Sequence, residues 1–411
     1  MKIVMFTDAY WPRVNGVTVS VDSFSHALIR LGHEVMIVCP FYPESSVVER
    51  ISDSSIEKKG NPQEPIILRV PSMPLFFSKE DRLAKFHKGF WVSKQIEEFN
   101  PDMIHLNSEF IIAEFGVQYA RFHSIPAAYT FHTHWDEYIA NYLYFLPKFV
   151  LKLIVWGITK PLLKRIDAII VPSIQIGEVV KKFKIKKKTY LLPTGTDPHL
   201  FSRDTDEIKR FRDILTRKYP PLNNKRILLF VGRIAREKNL EFLLGLAPEI
   251  IKKHPELVFL MVGNGPDLYE LQEQCAEMGL RDSFVFTGYL DREDVALTYG
   301  MSHIFVFPSL TESQGLVTIE AMLSGIPVVA IGAMGTLQVM GGDNGGFMVK
   351  NDREEFKQRV FDLLEDEALY RRKSAEAKQH AQGWTIDTMA LRLEGIYHDV
   401  LNTFKESIPS R

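Results

Sequence analysis

Two glutamates eight residues apart, Glu312 and Glu320, flank a glycine at the point where an apolar run gives way to a helical pattern. The run 304–308 predicts a strand, and the segment 316–324 predicts a helix that Gly315 opens. Backbone N–H groups at such a helix start bind phosphate, and carboxylates accept hydrogen bonds from sugar or ribose hydroxyls. The pattern favours a site for a phosphorylated sugar; the alternative is two ordinary surface glutamates.

A pair of cations follows another apolar run, at 226–232. Arg233 and Lys238 lie just before a predicted helix at 239–253. Two fixed cations are what a transferase needs to stabilise a departing nucleoside diphosphate without a metal ion. A solvated basic turn would show the same spacing.

In the first half of the chain, Gly16 follows the strand predicted at 2–8, and His132 lies at the end of the strand predicted at 127–133. Gly16 precedes the helical pattern 17–31, where the missing side chain lets N–H groups approach a phosphate; a plain turn glycine is the alternative. His132 is predicted to contact the sugar or the reaction centre in either protonation state. Its alternative role is to cap a helix start.

A metal-dependent hydrolase is a competing interpretation, because His132 and His134 form an H-x-H pair after a strand. Such a site needs further ligands, for which Asp8 and His105 are candidates. The D-x-D sequence at 204–206 does not follow a strand and is interpreted as a turn or helix cap. We therefore predict that the protein uses no metal and no cofactor.

The strands that place these residues come in two series, each alternating with helices. Short runs rich in Val, Ile and Phe are typical of strands buried in parallel sheets, and ligands of such sheets bind at the carboxyl ends of strands. The first series is predicted at 2–8, 34–40, 66–72, 103–107, 127–133 and 168–173, with helices at 17–31 and 82–99. The second is predicted at 226–232, 258–263, 284–288, 304–308 and 327–332, with helices at 239–253, 267–278, 291–300 and 316–324.

Length and composition are those of a globular enzyme, with 411 residues, 45% of them hydrophobic, and a net charge of −1. The length predicts two domains, and two cysteines exclude a disulfide framework. The charge excludes a globally basic nucleic-acid binder. The apolar start of the chain is too short for a signal peptide, and no run is long enough to span a membrane, so we expect a cytoplasmic protein.

Positive charge is concentrated at 148–188, which holds eleven Lys/Arg and two Asp/Glu. Aromatic and aliphatic residues accompany the cations in 147–165, and 181–188 is mostly lysine. This composition suits an anionic membrane surface, where each cation contributes about 1 kcal/mol; the alternative is an ordinary packed helix and a solvated lysine turn. The predicted membrane contacts are Lys152, Trp156, Lys181, Lys182, Lys186, Lys187 and Lys188.

Taken together, the motifs resemble those of the family 4 retaining glycosyltransferases, which have the GT-B fold. They are Asn15-Gly16-Val17, Thr130-Phe131-His132-Thr133, Gly232-Arg233 with Glu237-Lys238, Val262-Gly263-Asn264-Gly265-Pro266, and the pair Glu312 and Glu320. The resemblance implies an α/β architecture of two Rossmann-like, doubly wound domains facing each other across a cleft. The predicted domains are an acceptor-binding domain at 1–197, a nucleotide-sugar-binding domain at 198–380, and a C-terminal helix at 381–411 that packs back towards the first domain. The segment 189–204 is predicted to be the linker.

The resemblance also implies a role for each site residue. His132 and Glu312 would be catalytic and would lie beside the transferred sugar. Donor contacts would come from Gly16, Arg233, Lys238, Leu290, Gly315, Leu316, Val317 and Glu320. Within that set the cations and Gly16 would hold the diphosphate, Glu320 the ribose and Leu290 the base. The anomeric configuration would be retained without a positioned nucleophile.

Within the family, the segments 312–316 and 132–138 are similar to those of bacterial enzymes that glucosylate diacylglycerol or related lipids. We therefore predict transfer of a hexose, with glucose favoured, from a UDP-sugar to a membrane lipid such as diacylglycerol. The predicted partners are the nucleotide-sugar, the lipid acceptor and the anionic inner face of the cell membrane, with no nucleic acid. The alternatives are a soluble or polysaccharide acceptor, the metal-dependent hydrolase, and a non-catalytic nucleotide-sugar-binding or membrane-binding module.

Overall fold

The computed structural model describes residues 1–13, 16–42, 55–57, 63–75, 78–85, 89–132, 148–312 and 314–407. The chain forms two compact units. The first comprises Met1–Gly195 and Ile386–Arg411, and the second comprises Thr196–Thr385. Residues 381–385 lie in the second unit, so the C-terminal helix begins later than the sequence predicted.

The first unit is built on an eight-stranded sheet with the order β10-β9-β8-β7-β1-β2-β4-β3. Its strands are β1 (Lys2–Phe6), β2 (Glu34–Pro40), β3 (Ser55–Glu57), β4 (Ile66–Val70), β7 (Met103–Leu106), β8 (Ala127–Thr130), β9 (Ala168–Val171) and β10 (Lys188–Leu191). All neighbours are parallel except β3 and β4, and Ile3 pairs with Val35 on one side and Met103 on the other. The parallel sheet agrees with the sequence prediction.

A separate antiparallel hairpin corrects one predicted helix. Its strands are β5 (Ser72–Leu75) and β6 (Ser78–Ala84). The helix predicted over 82–99 starts only at Gly89. Arg82 belongs to the hairpin, where it pairs with Pro74, and its Nε donates to Ser72 Oγ at 2.7 Å.

The helices of the first unit cover the sheet. They are α1 (Gly16–Arg30), α2 (Gly89–Phe99), α3 (Ile111–His123), α4 (Lys148–Arg165), α5 (Ile174–Lys182) and α15 (Ile386–Ser407). The C-terminal helix α15 is fastened by polar side chains. Its Asp387 accepts from Arg30 at 2.6 Å, and its Glu394 lies 3.0 Å from His33 Nε2.

The second unit contains a fully parallel six-stranded sheet with the order β13-β12-β11-β14-β15-β16. Its strands are β11 (Arg226–Val231), β12 (Leu257–Val262), β13 (Phe284–Gly288), β14 (Ile304–Phe307), β15 (Val328–Ile331) and β16 (Gly346–Val349). Every residue of β12 is buried, as expected for a strand covered on both faces. The series of strands matches the prediction, to which the structure adds β16.

Nine helices surround that sheet in the part of the chain that the structure describes. They are α6 (Pro198–Phe201), α7 (Thr205–Lys218), α8 (Leu240–Lys253), α9 (Leu268–Glu277), α10 (Arg292–Gly300), α11 (Leu316–Leu323), α12 (Met334–Met340), α13 (Arg353–Glu365) and α14 (Glu367–Ala381). The D-x-D sequence is a helix cap, as predicted, because Asp204 accepts from the Asp206 N–H at 3.2 Å. None of the helices among the described residues is long and apolar enough to cross a membrane.

Candidate functional site

A shielded ion pair lies at the carboxyl ends of two adjacent strands of the second unit. Lys238 follows β11 and Glu312 follows β14, and these strands are parallel neighbours. Lys238 Nζ lies 3.0 Å from Glu312 Oε2, and the two side chains are only 15% and 19% exposed. The loop that carries Glu312 is fixed, because its carbonyl accepts from the Gly335 N–H at 2.7 Å. The fold therefore brings together one of the two predicted cations and one of the two predicted glutamates.

The start of helix α11 provides N–H groups beside this pair. Gly315 has a φ of +72°, and a Cβ there would lie 3.3 Å from the backbone of Gly335, so the position requires glycine. Among the described residues no side chain caps α11. The first N–H groups of a helix have no partner within it. Gly315, Leu316 and Val317 can therefore offer their amides to an anion.

Glu320 lies one turn into α11 and is partly buried. Tyr299 of α10 donates to Glu320 Oε2, with 3.1 Å between the oxygens. Burial raises the pKa of Glu320 to about 7, although the Tyr299 hydrogen bond and the charge of Arg292 act in the opposite direction. The carboxyl group therefore changes its protonation state near neutral pH.

Arg233 is placed differently from Lys238. Its side chain is 63% exposed, and it lies 4.0 Å from the carboxylate of Glu237. The loop that carries Arg233 packs against the glycines of the next strand end, because a Cβ on Gly263 would lie 1.9 Å from the Gly232 carbonyl oxygen. This close approach explains the glycines of the Val262–Pro266 motif. Leu290, which follows β13, is partly buried.

In the first unit, Gly16 is the first residue of α1 and is exposed. The loop before it is held by two residues that sequence reasoning missed. Arg69, a buried residue of β4, donates to the Trp11 carbonyl at 2.7 Å, and Tyr10 donates to Asp22 of α1 at 2.7 Å. A lone arginine at the end of an apolar strand gives no sequence signal of this role.

His132 follows β8 and lines a small cavity with His105, Asn107 and Thr130. Its Nε2 lies 3.2 Å from Asn107 Oδ1, which makes Nε2 the protonated nitrogen. Burial lowers the pKa of His132 to about 4. His132 is therefore a neutral hydrogen-bonding group at physiological pH.

The additional ligands that the hydrolase interpretation requires have other partners. Both ring nitrogens of His105 lie 2.7 Å from hydroxyls, Nδ1 from Tyr397 of α15 and Nε2 from Thr130. Burial and the neighbouring His132 lower the pKa of His105 to about 3. Asp8 accepts from the N–H groups at the start of α3, including Ile112 at 3.0 Å.

His134 lies outside the described residues. Within the described ranges, no group of three or more His, Cys, Asp or Glu side chains could hold a metal ion. The geometry of Asp8 and His105 therefore gives the hydrolase interpretation no support.

The residues predicted to contact a membrane differ in their surroundings. Trp156 is 39% exposed, with its ring 5.0 Å from that of Phe183, and Lys182 and Lys186 are exposed. Two others form ion pairs within the unit, Lys181 with Glu178 at 2.6 Å and Lys188 with Asp399 of α15. Lys187 is half-exposed. The side chain of Lys152 lies outside the described residues.

Lys188 also corrects the predicted linker. It starts β10, which pairs with β9 where the sequence predicted an irregular segment. This edge strand is mostly exposed, so it lacks the apolar run by which the buried strands were recognised.

Two family models match the chain, one in each half. Residues 14–200 match Glycosyltransferase Family 4, and residues 211–380 match Glycosyl transferases group 1. The alpha-monoglucosyldiacylglycerol synthase of Streptococcus pneumoniae is 31% identical over 81% of this chain and 71% of its own length. The synthase of the same name from Acholeplasma laidlawii is 25% identical over 98% of both chains. A GDP-mannose-dependent alpha-mannosyltransferase of Mycolicibacterium smegmatis is 27% identical over 86% of this chain and 85% of its own.

Solved structures show the same fold. The Anabaena protein HepE, crystallised in complex with UDP, superposes with a TM-score of 0.71 over 97% of this chain and all of its own, at 16% identity. This likeness confirms the predicted GT-B fold.

Proposed function

Because the chain belongs to glycosyltransferase family 4 and is a hexosyltransferase, we propose that it transfers glucose from UDP-glucose to diacylglycerol at a membrane surface. The observation that carries the proposal is the shielded Lys238–Glu312 pair beside the start of α11, which no described side chain caps. This site combines a cation, a row of amides and a carboxylate at the carboxyl ends of adjacent strands. These groups suit a sugar diphosphate. The second unit would supply most of the donor contacts, and the first unit would bind the acceptor.

In this proposal the diphosphate is held by the amides of Gly315, Leu316 and Val317 and by the cations Lys238 and Arg233. Lys238 is paired with Glu312 at 3.0 Å. The more highly charged diphosphate competes for this ammonium group, and the freed carboxylate then accepts hydrogen bonds from hydroxyls of the sugar. Donor binding and sugar recognition are thereby linked.

The transfer breaks the bond between the glucose anomeric carbon and the diphosphate oxygen. The electron pair leaves with UDP, where the fixed cations and amides stabilise the developing charge without a metal ion. The lipid hydroxyl forms the new bond, and its proton goes to the departing diphosphate. His132, neutral and held by Asn107, would hydrogen-bond to the sugar, while Gly16 would offer its N–H to the diphosphate.

Five further residues are proposed to contact the remaining parts of the donor and the membrane. Glu320 would accept from the ribose hydroxyls, and Leu290 would lie against the base. The exposed Lys182, Lys186 and Trp156 would contact anionic lipid at the inner face of the cell membrane. Glucose and diacylglycerol are favoured because two of the relatives are named for alpha-monoglucosyldiacylglycerol synthesis.

The test is transfer of labelled glucose from UDP-glucose to vesicles of phosphatidylglycerol and diacylglycerol. We expect labelled glucolipid and an equal amount of UDP, at a rate that a chelator leaves unchanged. GDP-mannose serves as the competing donor because a relative is named for it. If the protein turned over GDP-mannose alone, UDP-glucose would not be the donor. If it transferred glucose only to soluble acceptors, diacylglycerol would not be the acceptor.

Membrane contact is tested by a pair of charge-matched variants. Lys182→Glu with Lys186→Glu should weaken binding to anionic vesicles by about 10- to 100-fold, since each lost cation is worth about 1 kcal/mol near the surface. Lys85→Glu with Lys94→Glu, which alters exposed lysines elsewhere in the first unit, is the control. Equal loss in both variants would show that net charge, and not this surface, governs binding.

A further inference from the structure

Tyr299 packs directly against the carboxyl group proposed to bind the ribose. Its hydroxyl oxygen lies 3.1 Å from Glu320 Oε2 and 3.2 Å from the carbonyl oxygen of Val317. The side chain is fully buried, and its ring contacts those of Phe201 and Phe305, each at 5.7 Å between centroids. The phenol is thus fixed in place between two acceptors.

One hydroxyl proton can serve only one of these acceptors at a time. When Glu320 is ionised, Tyr299 donates to the carboxylate. When Glu320 is protonated, its own O–H can donate to the Tyr299 oxygen, and Tyr299 can then donate to the Val317 carbonyl. Either protonation state leaves Glu320 hydrogen-bonded in the same orientation.

We propose that Tyr299 is a positioning residue that holds Glu320 towards the donor ribose and allows its carboxyl group to release a proton when the nucleotide binds. The inference rests on the proposed function, because it takes Glu320 as the ribose contact. Ribose hydroxyls donate more strongly to a carboxylate than to a neutral carboxyl group. Nucleotide binding therefore favours the ionised form.

The charges around the pair agree with this coupling. Burial raises the pKa of Glu320 to about 7, and the charge of Arg292 on α10 partly offsets that rise. Burial and the neighbouring Glu320 raise the pKa of Tyr299, and the carboxylate of Glu312, which is paired with Lys238, adds to this effect. Tyr299 therefore stays protonated as a donor while Glu320 titrates.

The test is the affinity for UDP, measured by calorimetry from pH 6 to pH 9 in the full-length protein and in Tyr299→Phe. Wild-type affinity should rise with pH through about 7 and then level off, because UDP binds the ionised form. Tyr299→Phe removes a hydrogen bond that lowers the pKa of Glu320. The rise in the variant's affinity for UDP should therefore occur at higher pH than in the wild type. We expect about a tenfold loss of affinity at pH 7 that is largely recovered at pH 9.

Two controls separate this role from a structural one. Tyr370→Phe removes a hydroxyl that donates to the His303 carbonyl at 3.1 Å, and it should leave the pH profile unchanged. Glu320→Gln should leave only the pH dependence that comes from the terminal phosphate of UDP, whose second pKa is about 6, with or without Tyr299.

The possible outcomes separate the inference from the proposed function. An unchanged Tyr299→Phe profile, or an equal loss at every pH, overturns the inference while the proposed function stands. A wild-type protein that binds no UDP overturns both.

Discussion

The carboxyl ends of the parallel strands form one edge of the sheet in each unit, and the titratable groups at these two edges have different surroundings. In the first unit, His105 and His132 are held neutral by burial and bonded to uncharged partners. In the second, Glu312 is paired with a cation and Glu320 titrates near neutral pH. Charge suited to a diphosphate is therefore built into the second unit, whereas His105 and His132 of the first unit offer neutral hydrogen-bonding groups.

The two edges also respond to pH in opposite directions. The folded pKa values of His105 and His132 lie below those of the unfolded chain, so their stabilising contribution is lost as pH falls from about 6.5 to about 4 for His132 and to about 3 for His105. The pKa of Glu320 is raised from 4.5 to about 7. Its contribution is present below the unfolded pKa and is lost as pH rises through the folded one.

The largest effect is expected for Glu312→Gln. This change removes the charge proposed to bind the sugar and should lower glucose transfer by about 100-fold or more. UDP affinity should fall little or increase, because Lys238 no longer has an internal partner competing with the diphosphate. Steady-state kinetics and UDP titration measure both effects.

Glu241→Gln, at an exposed position of α8, is the matched control for that variant and should keep normal turnover. If Glu312→Gln retained more than half of the wild-type rate, the charge of Glu312 in the second unit would not contribute to catalysis.

A smaller effect is expected on the pH dependence of unfolding in Glu320→Gln. The variant has no carboxyl group to ionise, so it should be more stable than wild type at pH 8 and no more stable at pH 4.5. One pKa unit corresponds to about 1.4 kcal/mol. Because Glu320 is partly exposed, solvent screening reduces the effect of the full pKa shift, so we expect the free energy of unfolding at pH 8 to increase by about 1 to 3 kcal/mol.

Thermal unfolding at the two pH values measures that difference, with the exposed Glu277→Gln of α9 as control. A loss of stability at pH 8 would mean that ionised Glu320 stabilises the fold, contrary to the burial argument.

The residues that sequence reasoning located share one property, which is that they follow buried strands. Lys238, Glu312 and His132 come after apolar runs that are easy to recognise. Parallel pairing then brings strand ends together, so the Lys238–Glu312 contact follows from the fold although 74 positions separate the residues. The nature of that contact, an internal ion pair, does not follow from spacing.

The supporting residues could not be recognised from the sequence, because their partners lie far away along the chain and their own segments contain no motif. Tyr397 reaches His105 across 292 positions, and Arg69 reaches Trp11 across 58. Tyr299 lies in a helix that was predicted, but its orientation towards Glu320 depends on the packing of α10 against α11. Packing of this kind is set by the whole unit, and no local pattern reports it.

The claim that the second unit holds the donor is tested most directly by hydrogen–deuterium exchange with and without UDP. We expect slower exchange at the start of α11, over Gly315–Val317, and in the one-turn helix Arg236–Lys238, with little change in α3 of the first unit. If UDP binds and exchange at the start of α11 stays unchanged, the second unit does not hold the donor as proposed.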